Sequence, residues 1–196
     1  MKLLCDRIRE EGRVLPGNIV KVDGFLNHLV DIKLMGELAK EFHRLFADKK
    51  ITKILTVEAS GIALATVCAQ EFGVPMLFAK KAKSDNIEGG LIQSEIFSYT
   101  YKKKVTLIVS AQWLNADDKV LIIDDFLANG EALRGLTEMI HSVGAEVVGI
   151  GIAVEKGFQG GGDKLRAMGY DVRSLAIIED TADGKIRFRD EEREEI

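Results

Sequence analysis

Proline is scarce in this chain, with two in 196 residues, as are cysteine (two), histidine (three) and tryptophan (one). So few prolines exclude an extended collagen-like or polyproline protein. Cys5 and Cys68 stand far apart inside apolar stretches with no metal-ligand spacing, so no disulfide framework is expected, and buried free thiols in a reducing compartment fit best. His28, His43 and His141 share no ligand spacing. They form no Ser-His-Asp or Cys-His pattern, which disfavours nucleophilic hydrolysis. Basic charge is not in excess: Lys and Arg number 27 against 31 Asp and Glu, a net charge of −4. A duplex nucleic acid is therefore not an expected partner, and a nucleotide or small phosphate ester suits the balance better. No run of about eighteen uncharged apolar residues offers a membrane span. The opening Met-Lys-Leu-Leu-Cys-Asp-Arg-Ile-Arg-Glu reads as an amphipathic helix whose charges interrupt a signal-peptide core. No membrane partner and a cytoplasmic location are the expectations.

What remains is the profile of one globular domain: 46% hydrophobic and 30% charged residues in a chain long enough for a sizeable core. After the first helix, residues 17–28 read as a loop over the domain's edge, a candidate ligand hood. Asp31 caps a helix to about Ala47, with Leu34, Leu38, Phe42 and Leu45 at helical spacing. Residues 51–57 form a short strand. The turn Glu58-Ala59-Ser60-Gly61 follows, then a helix over 62–72 closed by Gly73. Residues 74–78 are a second buried strand. A polar stretch, 84–93, reads as mobile, and 94–101 and 105–111 alternate as two antiparallel strands joined through Lys102, Lys103 and Lys104. Strand 119–125, loop 126–130, helix 131–143 with Gly144, strand 147–154, a short helix 162–168 and strands near 172–178 and 185–188 complete the chain. An acidic tail begins at Asp190.

Apolar strands alternating with helices call for an α/β fold, a parallel sheet covered on both faces. Ligands bind beyond the carboxyl ends of such strands. Three strand ends deserve inspection: residues 58–61, 124–130 and 155–156.

The sharpest signal is Val120-Leu121-Ile122-Ile123-Asp124-Asp125-Phe126-Leu127-Ala128-Asn129-Gly130-Glu131-Ala132. Apolar β formers end in two carboxylates, and a small-residue turn opens a helix whose first N–H groups can cradle a phosphate. The carboxylates suit vicinal sugar hydroxyls. Taken alone, the acid pair equally fits a metal site or a helix cap. The segment lacks the spacing of a Walker A loop or a dinucleotide fingerprint. Residues 58–61 fit either a tight anion-binding turn or an ordinary turn with Ser60 as cap. Lys80, Lys81 and Lys83, with Lys102 to Lys104, form a basic segment in an acidic chain, and a solvated cluster is the simpler account of the second group. Lys156 ends a long apolar strand, where its ammonium needs an acceptor: either a ligand oxygen, or Glu155 or Asp125 in a salt bridge. Phe126 or Phe158 can flank a planar base.

The 120–132 segment resembles the phosphoribosyl diphosphate (PRPP) motif of the type I phosphoribosyltransferases. Two further segments, 154–159 and 18–28, are similar to the xanthine phosphoribosyltransferases. That resemblance implies a parallel-sheet core flanked by helices, with a hood from about 1–30 and 170–190 and a flexible loop at about 84–104. It implies transfer of ribose 5-phosphate from PRPP to xanthine with Mg²⁺, and a homodimer. Asp124 and Asp125 would be catalytic, holding ribose hydroxyls at one remove from the metal, with no direct protein ligand to it. Ala128, Asn129, Gly130, Glu131 and Ala132, Glu58, Ala59, Ser60 and Gly61, and Lys81 would hold PRPP. Val20, Asn27 and Lys156 would contact xanthine. The chain has Val20 where the family more often has Leu, Gly24 where it has Ser, and Gly157 where Ser is usual. Guanine and hypoxanthine enzymes carry an aspartate where this chain has Ala128, so the proton acceptor stays open: Glu88, Glu95, or none for a xanthine anion. Asn27 also suits a plain turn. Another purine as substrate, or a non-catalytic PRPP-sensing regulator, are the rival functions.

Overall fold

The computed structural model describes residues 1–81, 90–98 and 103–189. The expectations for 82–89, 99–102 and 190–196, with Lys83, Glu88, Lys102 and the acidic tail among them, lie outside the described residues.

A six-stranded sheet forms from β3 (Lys53–Val57), β4 (Met76–Ala79), β7 (Lys119–Leu127), β8 (Glu146–Lys156), β9 (Val172–Asp180) and β10 (Arg187–Phe188). Their spatial order is β10-β9-β8-β7-β3-β4, with all pairs parallel except the edge pair β10-β9. The helices between strands run as the sequence requires. Asp31 accepts backbone N–H bonds from Lys33 and Leu34 and opens α2 (Ile32–Leu45). Gly73 closes α3 (Gly61–Phe72) at φ 67°, a left-handed conformation in which a side chain is strained.

Strand alternation divides the core in two. Ile54, Leu121 and Ile123 face α2, α3 and the N-terminal helix α1 (Lys2–Glu11), packing with Leu4, Ile8, Phe42 and Leu64. Leu55, Val120 and Ile122 face the opposite way, onto Leu133, Leu136 and Met139 of α4 (Glu131–Ser142) and Leu165 of α5 (Gly161–Ala167). The same side carries an antiparallel pair, β5 (Leu91–Ser98) and β6 (Lys103–Ser110), tied to β4 through a Lys80–Ile108 bridge.

Three expectations need correction. Residues 17–28 are not simply a loop. β1 (Arg13–Leu15) pairs with β2 (Ile19–Lys21) in a hairpin, and Asp23–Asn27 forms a single π-helical turn. The hairpin escaped notice because each strand is only three residues long. Second, β7 does not stop at Asp125: it continues through Leu127, paired with Glu155 of β8, because Leu127 has apolar neighbours to bury against. Third, the antiparallel pair expected at 94–101 and 105–111 forms, but its first strand already begins at Leu91, inside the polar stretch, and the pair docks on α4. Arg134 Nη2 donates to the Glu95 carbonyl at 2.9 Å, Ser94 Oγ donates to Glu138 at 2.6 Å, and Ile96 and Leu107 press on Gly135.

Candidate active site

The two carboxylates of β7 sit where three segments meet. Asp125, 4% exposed, accepts hydrogen bonds from Ser60 Oγ at 2.9 Å and Asn27 Nδ2 at 3.1 Å. The π-helical turn 23–27 and the turn before α3 therefore converge on one acid from residues 98 and 65 positions away. The Ser60 hydroxyl makes no side-chain cap bond to α3 and goes to Asp125 instead.

Asp124 is equally buried, 5% exposed, with its Oδ1 accepting the Asp125 backbone N–H at 3.0 Å. Burial, and then the neighbouring Asp125 charge, push its pKa well above the ordinary carboxylate range, while Lys81 pulls weakly the other way. Gly61 makes this placement possible. A methyl group on its Cα would stand 2.3 Å from Asp124 Oδ1 and 2.3 Å from Thr56 Oγ1. Thr56 Oγ1 is buried and has no hydrogen-bond partner among the described residues.

The turn itself contains a cis Glu58–Ala59 peptide. Glu58 is fastened on both sides: its N–H donates to the Ala79 carbonyl at 3.0 Å, and its Oε1 accepts the Lys81 N–H at 2.6 Å. The Lys81 side chain is exposed beside this turn. Beyond β7, Gly130 caps α4 at φ 88°, Asn129 Oδ1 accepts the Glu131 N–H at 3.5 Å, and the Glu131 carboxylate pairs with Arg134 at 3.2 Å. With that carboxylate engaged, the loop Ala128 to Ala132 presents backbone N–H groups and the positive end of α4.

Lys156 ends β8 half-buried, and burial lowers its pKa. Neither salt bridge considered for it forms. Glu155 turns to the other side and is taken by Arg166 at 2.7 Å, and Asp125 is held by Ser60 and Asn27. Among the described residues no carboxylate reaches its ammonium, which lies 5.4 Å from the Phe126 ring centroid. Val20, 6% exposed, belongs to the same apolar cluster as Phe126 and Phe158. Glu95 does not join these groups. Its carboxylate is exposed and paired with Lys104 at 3.1 Å.

Sequence inspection missed Thr56, whose middle-strand position gives no signal, and the pairing of Arg166 with Glu155, which spans two elements. Among the described residues, no group of three His, Cys, Asp or Glu is placed to hold a metal. No helix of the described chain is long and apolar enough to cross a membrane.

Residues 22–189 match the phosphoribosyl transferase domain family. The xanthine phosphoribosyltransferase of Lachnoclostridium phytofermentans is 56% identical over 191 residues, covering 96% of this chain and 98% of its own length. That of Bifidobacterium longum is 55% identical over 192 residues, covering 96% and 100%. Among solved structures, the adenine phosphoribosyltransferase of Giardia lamblia complexed with 9-deazaadenine aligns with a TM-score of 0.77 at 23% identity, over 90% of this chain and 98% of that one. The adenine enzyme of Trypanosoma brucei gives 0.73 at 17%, over 98% and 92%. At these identities the structural matches speak for the fold. The sheet order, the acid pair in β7 and the near full-length identity agree, and the chain belongs to the phosphoribosyltransferase family, among the xanthine phosphoribosyltransferases.

Proposed function

We propose that this protein transfers the ribose 5-phosphate of PRPP to a ring nitrogen of xanthine, giving xanthosine monophosphate and diphosphate. The observation that carries the choice of base is the sustained identity to xanthine enzymes, 54–56% over 188–192 residues among six relatives. An ammonium, Lys156, free of carboxylate partners among the described residues and set over an aromatic ring, agrees with it.

In this reading the 5-phosphate sits on the backbone N–H groups of residues 128–132, at the start of α4. Ser60 and Asn27 now occupy Asp125, and the ribose hydroxyls would replace them as donors. The turn 58–61 and Lys81 hold the diphosphate, and Lys156 donates to an exocyclic oxygen of the purine. Val20, Phe126 and Phe158 line the flat faces of the base, and Asn27, released from Asp125, meets its polar edge. As the bond from the anomeric carbon to diphosphate breaks, its electron pair leaves with diphosphate and positive charge grows on the sugar. The adjacent acids favour that charge. The purine nitrogen lone pair forms the new bond from the opposite face. If xanthine enters as its anion, no proton has to be removed at that nitrogen.

The donor set fits Mg²⁺ held mainly by substrate and water oxygens, since the acids come as one pair and no third ligand stands beside them among the described residues. When bound, the ion neutralises charge on the leaving diphosphate. Asp124 and Asp125 would hold it through water.

The test mixes the protein with PRPP, Mg²⁺ and xanthine, with guanine, hypoxanthine and adenine as competitors. Xanthosine monophosphate and diphosphate should appear in equal amounts, with xanthine preferred. Preference for another base, or turnover undiminished in the Asp124→Asn, Asp125→Asn double variant, would defeat the assignment.

A further inference from the structure

The loop 128–130 rests on something outside the motif. α5 lies directly beneath it: the Gly161 N–H donates to the Ala128 carbonyl at 3.2 Å. Contact is so close that a methyl group on Gly161 would stand 2.2 Å from that oxygen and 2.8 Å from the Gly130 nitrogen. α5 has seven residues, too few to be stable by helix propensity alone.

Arg166, near its end, supplies the fastening. Its guanidinium spans both oxygens of Glu155, at 2.9 and 2.7 Å, and its Nε donates to the Val172 carbonyl at 3.2 Å. Glu155 is 1% exposed and also accepts from Ser174 Oγ. A methyl group on Gly162 would stand 2.0 Å from Glu155 Oε1, so the first turn of α5 is wedged between this carboxylate and the loop. A planar, two-pronged ion pair fixes direction as well as distance.

We propose that Arg166, through Glu155 and α5, is a positioning residue for the 128–130 loop. The pair holds Gly161 under Ala128 and thereby aims the loop's N–H groups at the 5-phosphate of PRPP. The inference rests on the PRPP site proposed above. Lys156 depends on this strut much less, because strand pairing to Ile178 of β9 holds it. The turn 58–61 is on the far side of β7 from α5 and is held by β4. Loosening the strut should weaken the phosphate end of the site and spare the diphosphate end.

Arg166→Met alone leaves Glu155 buried and unpaired and risks unfolding, so the main variant is Glu155→Gln with Arg166→Met, which removes both charges. Calorimetry with ribose 5-phosphate and, separately, with diphosphate in Mg²⁺ reads the two ends. Ribose 5-phosphate affinity should fall tenfold or more and diphosphate affinity less than twofold, with Arg166→Lys intermediate. Unchanged affinity for both, or a parallel loss of both, would overturn the role, since either result describes a support with no aim at the phosphate. Wild-type protein that binds PRPP but makes no xanthosine monophosphate would sink the choice of base and leave this inference standing. Wild-type protein that binds neither PRPP nor ribose 5-phosphate would sink both.

Discussion

Replacing Gly61 with Ala adds one methyl group at a crowded point beside the acid pair. The new carbon would lie 2.3 Å from Asp124 Oδ1, 2.3 Å from Thr56 Oγ1 and 3.4 Å from Asp124 Cγ. Carbon and oxygen ordinarily stay about 3.3 Å or more apart, so each oxygen must retreat by roughly 1 Å. Neither can swing into solvent, Thr56 being fully buried and Asp124 5% exposed. Overpacking of this kind costs about 1–3 kcal/mol, and a chain of this size loses roughly 2–4 °C of Tm per kcal/mol, so Tm should fall by about 2–12 °C. Activity should suffer more sharply. A misplacement on the order of 1 Å in a catalytic group costs roughly 100-fold, so kcat/KM for PRPP should drop by about two orders of magnitude. Gly36→Ala is the matched control, the same atom added inside α2 with nothing within 4 Å of it. It should raise stability by about 1 kcal/mol, from the better helix propensity of Ala, and leave turnover unchanged. Calorimetric melts and initial rates on both variants decide the matter. A Gly61→Ala protein with wild-type Tm and turnover would show that Asp124 is not seated against Gly61, and the argument for the site's geometry would fail.

Asp124→Asn should show a pH signature in ligand-free protein. Burial raises the native pKa of Asp124, so its stabilising proton is fully present below the unfolded value, near 4, and lost as pH rises through the raised native value. The Tm of Asp124→Asn relative to wild type should therefore climb as pH rises above about 4, and a flat difference would contradict the burial assignment. Lys156→Met removes a half-buried ammonium with no carboxylate partner among the described residues. Its Tm at pH 7 should hold or rise. Loss of a charged hydrogen bond of about 1.5–3 kcal/mol should raise KM for xanthine by roughly 10- to 150-fold, with KM for PRPP moving less than threefold; equal effects on both would remove Lys156 from the base end. Cys68 is buried and its thiol pKa is pushed far up by desolvation. Iodoacetamide at pH 8 should leave it unmodified in native protein and label it after denaturation, as peptide mass spectrometry would reveal.

Much of the fold was legible because its signals are local. The Asp31 cap, the apolar spacing of α2, the Gly73 stop and the apolar runs of β7 and β8 each announce themselves within a dozen residues. The three-residue strands of the first hairpin were not legible, since alternation over three positions carries no statistical weight. The end of β7 was misplaced for a related reason. Two carboxylates look like a strand terminus, yet Phe126 and Leu127 continue pairing because β8 runs on beside them.

The sequence by itself determined the class of sheet, the acid pair, the small-residue turn that opens α4 and the lysine at the end of β8, since each is written in neighbouring residues. Tertiary structure alone decided which surroundings each of those acids has. Asp124 and Asp125 are adjacent and chemically identical in the chain, but Gly61 and Thr56 close over the first while Ser60 and Asn27 reach the second. It also decided that Glu155 takes Arg166 and leaves the neighbouring Lys156 facing the other way. Those assignments depend on distances between segments tens of residues apart, and burial set by such distances, rather than residue type, gives identical carboxylates different environments.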